Sequence, residues 1–270
     1  MGIFSGCLLA SDYDGTLANS KGQIDKEVQD AIKYFTANGG YFTVCTGRTK
    51  QGFHAYSADL MNAPILLANG SMAYSYDTGR ISFLDGIEKK SLGSLEYIKE
   101  NYKDIGIEIY GSDFSSYVIN PDERNIRHFQ FQYIDFKVVN DYPAEVFPAV
   151  KVMISVGRER VEDFMRFLDS VEMNGIKYIP QYGDFIEIIS DKTDKGRGLL
   201  TLAKCLGVDK SRAFCVGDGS NDVDMLKAAA VGFVPENGDI LAKKAGNVMV
   251  KSNDEFAVAD AIYRIEQIIK

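Results

Sequence analysis

The sequence predicts an α/β protein: a Rossmann-like parallel sheet core interrupted by an inserted α+β domain. Three observations predict it. Over residues 1–81 and 189–270, short apolar runs alternate with amphipathic helical stretches. Over residues 82–188 the pattern changes to period-two stretches rich in aromatic and β-branched residues. Finally, the short apolar runs of the outer parts end in Asp, Thr, Asn or Gly, the residue types that line ligand crevices at the carboxyl ends of parallel strands.

In chain order, Cys7-Leu8-Leu9-Ala10 is a buried strand ending at Asp12. A helix is expected from Lys26 to Asn38, with Val28, Ala31, Ile32 and Phe35 on one face, Asp25 as its cap and Gly39-Gly40 as its stop. Tyr41 to Cys45 is a strand, 50–61 a helix, and Ile65 to Ala68 a third strand. In the insert, Ile107–Tyr110 and Phe185–Ile188 alternate as strands, with helices at Lys89–Asn101 and Val161–Met173. Tyr182-Gly183-Asp184-Phe185 reads as a hairpin turn. The last part resumes the alternation: helix Lys195–Leu206, strand Ala213–Val216, helix Asp222–Ala229, strands Val231–Val234 and Val248–Val250, and a closing helix carrying Phe256, Ala259, Ile262, Ile265 and Ile269. Such alternation implies right-handed crossovers with helices on both faces of the sheet.

Composition narrows the class. The 270 residues carry a net charge of -8, which opposes a polyanion and argues against nucleic acid as a partner. No apolar run is long enough to span a membrane, and the apolar start at Ile3–Ala10 is too short for a signal peptide. Cys7, Cys45, Cys205 and Cys215 form no CxxC pair, so they read as reduced thiols of a cytoplasmic protein. His54 and His128 are isolated and read as surface or half-buried residues. Tyr110, Phe114 and Tyr117 read mostly as core, one of them able to stack on a sugar face. Arg124, Arg127 and Lys151 read as a solvated face rather than as contacts to a second anion.

The strand ends carry the chemistry. After the first strand comes Asp12-Tyr13-Asp14-Gly15-Thr16, after the second Thr46-Gly47-Arg48, and after the third Asn69-Gly70. After Ala213–Val216 comes Gly217-Asp218-Gly219-Ser220-Asn221-Asp222, and Lys195 opens the preceding helix. Each piece alone is an ordinary turn or cap. Together they bring Asp12, Asp14, Asp218 and Asp222 to one crevice, where mutual repulsion favours protonation unless a cation intervenes. Oxygen-only ligands select a hard divalent ion, magnesium first. Phosphoryl transfer asks for this set: a cation and a lysine to neutralise the phosphoryl oxygens, a hydroxyl to orient them, a carboxylate to attack and another to shuttle a proton.

Four of these motifs, Asp12-Tyr13-Asp14-Gly15-Thr16, Thr46-Gly47-Arg48, Lys195-Gly196 and Gly217-Asp218-Gly219-Ser220-Asn221-Asp222, in this order and with an insert of this length, resemble the haloacid dehalogenase superfamily in its Cof-type sugar-phosphatase branch. The resemblance implies that Asp12 is the nucleophile and Asp14 the general acid/base. Thr46, Gly47, Lys195 and Asn221 would line the phosphoryl site. Mg2+ would be held by the Asp12 carboxylate, the Asp14 backbone carbonyl and Asp218, with Asp222 supporting it. The insert would be the family's cap, which covers the site and shapes substrate choice. The implied partner is a small phosphorylated metabolite, with no protein partner. Tyr13, at a position more often aliphatic, and the charged Asp191-Lys192 before Thr193 depart from the family pattern and bear on substrate preference. Two other readings use similar residues. A phosphomutase would need the same aspartyl-phosphate. A phosphoacceptor signalling domain would explain Asp12, Thr46 and Lys195, but neither Asp14 nor the long insert.

Overall fold

The first strand, β1 (Leu8–Ser11), is buried along its whole length, as befits a strand with a neighbour on each side and helices over both faces. The computed structural model describes residues 2–54, 58–180 and 183–270. After β1 come α1 (Lys26–Ala37), β2 (Tyr41–Val44), α2 (Lys50–Phe53), β3 (Ile65–Leu67), β4 (Met72–Tyr74) and β5 (Ile81–Leu84). Then follow α3 (Leu92–Asn101), β6 (Gly106–Gly111), β7 (Ser116–Ile119), α4 (Glu123–Phe131), β8 (Lys137–Val139), β9 (Ala149–Ser155), α5 (Val161–Asp169), β10 (Ile176–Pro180) and β11 (Phe185–Ser190). The chain closes with α6 (Lys195–Cys205), β12 (Ala213–Val216), α7 (Val223–Ala228), β13 (Val231–Pro235), α8 (Ile240–Ala245), β14 (Val248–Val250) and α9 (Ala257–Ile269).

The chain divides into two compact units: Met1–Gly47 with Ala55–Phe83 and Asp194–Lys270, and Arg48–His54 with Leu84–Thr193. The first is built on a five-stranded parallel sheet in the order β14-β13-β12-β1-β2. The central pair is in direct register, Leu8 opposite Ala213 and Ser11 opposite Val216, so Asp12 and Gly217 emerge side by side. Leu8, Ala10, Cys45, Leu199, Leu202, Cys215 and Met225 belong to one buried cluster of this unit. Val28, Ile32 and Phe35 bury the inner face of α1, each contributing about 1.5–3 kcal/mol by leaving water.

The second unit holds a six-stranded mixed sheet, β10-β11-β9-β6-β7-β8. Ile107, Ile109, Val152, Ile154, Ile186 and Ile188 alternate onto one face and join Leu95, Ile98, Phe164 and Leu168 of α3 and α5 in a single core. Thr193 belongs to this unit, donating its hydroxyl to the Asp85 carbonyl at 2.6 Å, and Gln51 of α2 donates to the Phe114 carbonyl.

Several expectations need correction. Asp25 stands at the start of α1 but its side chain caps nothing there; it accepts instead from Asn19 Nδ2 at 3.0 Å. The helix expected over 50–61 stops at Phe53, where His54 turns left-handed at φ 49°, and Ala58–Leu60 is a separate 3-10 turn. Residues 55–57 and Tyr182, the start of the expected hairpin turn, lie outside the described residues; β10 and β11 are antiparallel neighbours. The third strand pairs antiparallel with β4 in a small sheet and meets the main sheet through the bridge from Cys45 to Leu66. The stretch expected as helix 222–229 opens with a 3-10 turn at Ser220–Asp222.

A further helix of the second unit, α4, was not expected. Its start is a capping box, with Asp122 accepting from Arg124 N at 2.7 Å and Asn125 Oδ1 accepting from Asp122 N at 3.1 Å. Asn125 and Phe129 form its buried face, too few apolar residues to show a helical period. Lys151 is not on a solvated face: it is 6% exposed, beside Glu187 and over the Tyr110 ring.

Candidate active site

Asp12, at the carboxyl end of β1, is tied to the next strand by its own N–H, which donates to the Val216 carbonyl at 2.9 Å. That bond continues the ladder one residue beyond the strand, so the side chain leaves from a fixed backbone. Lys195 arrives from the opposite direction as the first residue of α6, whose start is capped by Asp194 accepting from Arg197 N at 2.7 Å. The helix is held close by glycine. Gly70, at φ +87°, and Gly198 approach until a Cβ on Gly198 would lie 2.9 Å from the Gly70 Cα.

The Lys195 ammonium, wholly buried, donates to Asp12 Oδ1 and to Asp222 Oδ1, both at 2.6 Å. The other Asp222 oxygen accepts from Gly219 N at 2.9 Å. Asp218 Oδ1 accepts from the Thr16 hydroxyl at 2.5 Å. Carboxylate oxygens of Asp12, Asp218 and Asp222 all lie within 4.8 Å of one another. Gly15 lies against this cluster: at φ +82°, a Cβ there would come within 2.6 Å of Asp218 Oδ2. Only glycine fits both the backbone angle and the space.

The tight cluster therefore contains three of the four expected aspartates. Asp14 is exposed, its residue in bridge contact with Ala18 on the loop that follows β1. Thr46 is buried at the end of β2, its N–H donating to the Leu66 carbonyl and its own carbonyl accepting from Asn69 N, each at 2.9 Å. Gly47 faces the Asn69 side chain, and Asn221 Nδ2 donates to Asn69 Oδ1 at 3.3 Å. Asn69, read from sequence as a tight turn as readily as a ligand site, thus links the ends of β2 and β12; it sits left-handed at φ 55°. Thr16 is the other residue whose part the sequence left unassigned. A hydroxyl two positions after Asp14 is the signal, but its partner lies in a motif far along the chain.

Charge governs this cluster. Burial pushes the Asp12 carboxyl well above its ordinary range; Lys195 opposes the shift, and Asp222 and Asp218 add to it. Burial also raises Asp218, against the Thr16 hydrogen bond. For Lys195, burial alone would favour the neutral amine, but Asp12 and Asp222 outweigh it and hold the ammonium charged. Three carboxylates thus share one cation. The same burial raises the Cys45 and Cys215 thiols, so neither is an activated nucleophile.

The family model of the haloacid dehalogenase-like hydrolases matches residues 9–262. The chain belongs to this family. It is 28% identical over 290 residues to the 5-amino-6-(5-phospho-D-ribitylamino)uracil phosphatase YwtE of Bacillus subtilis, a match that covers 97% of each chain. Among solved structures it resembles a haloacid dehalogenase-like hydrolase from Bacteroides thetaiotaomicron (TM-score 0.83, 22% identity, 96% and 99% of the two chains). It also resembles the subclass IIB sugar phosphatase BT4131 (TM-score 0.81, 18% identity, 98% and 100%). The fold is theirs, and as an enzyme the chain is a phosphatase of the haloacid dehalogenase family. Among the described residues, no helix is long and apolar enough to cross a membrane.

The donor set of this phosphatase fits a metal ion. Asp12, Asp218 and Asp222 present only oxygen, close enough to share one ion, and burial leaves them short of positive charge.

Proposed function

We propose that this phosphatase hydrolyses small phosphate monoesters, sugar phosphates foremost, through an aspartyl-phosphate on Asp12 with Mg2+ as cofactor. The observation that carries the reading is the Lys195 ammonium, 2.6 Å from both Asp12 and Asp222, in a cluster completed by Asp218. Such a cluster binds a phosphoryl group only if its own negative charge is offset, and Lys195 offsets part of it. A magnesium ion on Asp12, Asp218 and Asp222, with the Asp14 backbone carbonyl, would supply the rest by polarising the phosphoryl oxygens. The sugar-phosphate preference rests on the relatives, one acting on a phosphoribityl compound and one a sugar phosphatase.

In this reading the chain's own groups divide the work. Lys195 orients Asp12 through Oδ1, and Asp12 Oδ2 attacks phosphorus in line with the leaving oxygen. Asp14, exposed on the loop beyond β1, gives that oxygen a proton as the ester bond breaks. The Thr46 hydroxyl, the Gly47 amide and the Asn221 side chain hydrogen-bond the transferred group. Asp14 then takes a proton from the water that attacks the acyl phosphate, and Asp12 is regenerated.

Phosphate release from a panel of sugar phosphates, nucleotides and an aryl phosphate, with and without Mg2+, tests the reading. Metal-dependent turnover is expected, falling by at least about a thousandfold in Asp12→Asn because the nucleophile is gone. Turnover that survives in that variant refutes the assignment. Phosphate found on a second sugar hydroxyl rather than in solution identifies a mutase instead.

A further inference from the structure

The loop that carries Asp14 is fixed at several points, with Tyr13, Thr16, Leu17 and Ala18 buried around it. Asp14 is exposed, and the residue after it is Gly15, which has no side chain to restrict its own dihedrals. Internal bonds close the turn: Leu17 N donates to the Asp12 carbonyl at 3.2 Å and Ala18 N to the Tyr13 carbonyl at 2.9 Å. Further support comes from the other end of the sequence. Asn237, between β13 and α8, donates through Nδ2 to the Gly15 carbonyl at 2.8 Å. Its Oδ1 accepts from Asn253 N at 2.9 Å, and Asn253, before α9, donates through Nδ2 to the Ala18 carbonyl at 3.0 Å. Two linked carboxamides thus grip the turn just after Asp14 and at its far end.

We propose that Asn237, backed by Asn253, is a positioning residue for Asp14. Fixing the Gly15 carbonyl fixes the peptide plane between Gly15 and Thr16, and Thr16 is fixed in turn by its hydroxyl on Asp218. The same connection holds Asp218 itself, because Asp239 N donates to the Asp218 carbonyl at 2.8 Å. One short segment therefore sets the proton donor in register with the acidic cluster. Packing does not account for Asn237, which is exposed; its amide is used at both ends, as donor and as acceptor, and few side chains could serve both. The proposal rests on the assignment of Asp14 as general acid/base.

The test separates a misplaced proton donor from general damage. A general acid matters in proportion to the basicity of the leaving oxygen. kcat/KM, which reports the step in which the ester bond breaks, is measured on a sugar phosphate and on 4-nitrophenyl phosphate. Wild type, Asp14→Asn, Asn237→Ala and Asn237→Asp are compared in the presence of Mg2+. Asp14→Asn is expected to lose about a hundredfold or more on the sugar phosphate and far less on the aryl ester. Asn237→Ala is expected to show the same selectivity at about tenfold, with the aryl ester reduced less than about threefold. Asn237→Asp keeps an acceptor for Asn253 but loses the donor to Gly15, and is expected to match Asn237→Ala. If Asp14→Asn is selective while Asn237→Ala lowers both esters equally, or lowers neither, the proposal is wrong. If Asp14→Asn itself shows no selectivity, the acid/base assignment falls, and the brace with it.

Discussion

Glu108 in one unit and the strand-end aspartates in the other are buried in opposite ways. In the six-stranded unit, Glu108 is completely buried in the middle of β6 and is met by three donors. Tyr110 Oη donates to it at 2.7 Å, Asn125 Nδ2 at 3.0 Å and His128 Nδ1 at 2.7 Å. His128 Nε2 in turn faces the Gln132 amide, so a neutral imidazole with its proton on Nδ1 satisfies every partner. In the five-stranded unit, Asp12, Asp218 and Asp222 stand at strand ends with Lys195 as the cation between them. A buried carboxylate with its hydrogen bonds complete is a structural element; a cluster short of positive charge is a place where an ion and a phosphoryl group gain by binding. Position in the sheet explains the contrast, since a mid-strand side chain is enclosed by neighbours and a strand-end side chain opens onto loops.

The sharpest way to break the comparison is to remove its cation. Lys195→Met leaves Asp12 and Asp222 buried without their cation and is expected to cost about 3–5 kcal/mol, read by urea unfolding. Activity should be lost as well, even under conditions where the variant is folded. A variant as stable as wild type would mean that the cluster is not short of charge.

Next in size is the response to metal and pH. Mg2+ at about a hundred times its dissociation constant should stabilise the fold by about 2.7 kcal/mol, seen as a higher Tm. Without metal, the sign follows from Asp12 and Asp218, whose pKa values are raised in the folded state. The folded protein then binds more protons than the unfolded chain between the ordinary carboxylate pKa and the raised one, so this contribution to stability falls as pH rises through that window. Saturating Mg2+, by favouring the charged carboxylates, should flatten or reverse the slope. A metal-free protein whose Tm does not fall with pH there would contradict the assigned shifts.

The smallest effect is expected in the other unit. Glu108→Gln keeps the shape but offers Tyr110 and His128 an amide in place of a carboxylate, at a cost of about 1–3 kcal/mol in unfolding free energy. Hydrolysis of an aryl phosphate should change by less than about threefold, because no proposed catalytic group is touched. A loss as large as that of Asp12→Asn would place Glu108 in the chemistry and end the contrast.

The legible parts of this molecule are those written in local sequence. The alternation around Leu8–Ser11, Tyr41–Val44 and Ala213–Val216 follows from burial on both faces of a parallel sheet, and the residues just past each strand end had to lie on one edge. Helix α4 escaped because its buried face is only Asn125 and Phe129, with Asn125 contributing a hydrogen bond where periodicity asks for an apolar residue. Lys151 escaped because a lysine is rarely buried, and only its place over Tyr110 beside Glu187 accounts for it.

The sequence by itself determined the fold class, the edge of the sheet that bears the site, and Asp12, Asp14, Asp218 and Asp222 as the acids to examine. It could do so because strand periodicity and the residues after a strand are consecutive in the chain. The tertiary structure alone decided that three acids rather than four form the cluster, that one lysine bridges Asp12 and Asp222, and that Asn237 and Asn253 hold the loop of Asp14. Those are hydrogen bonds between residues far apart in sequence, and their geometry is set by how α6, β12 and the connection after β13 are brought beside β1.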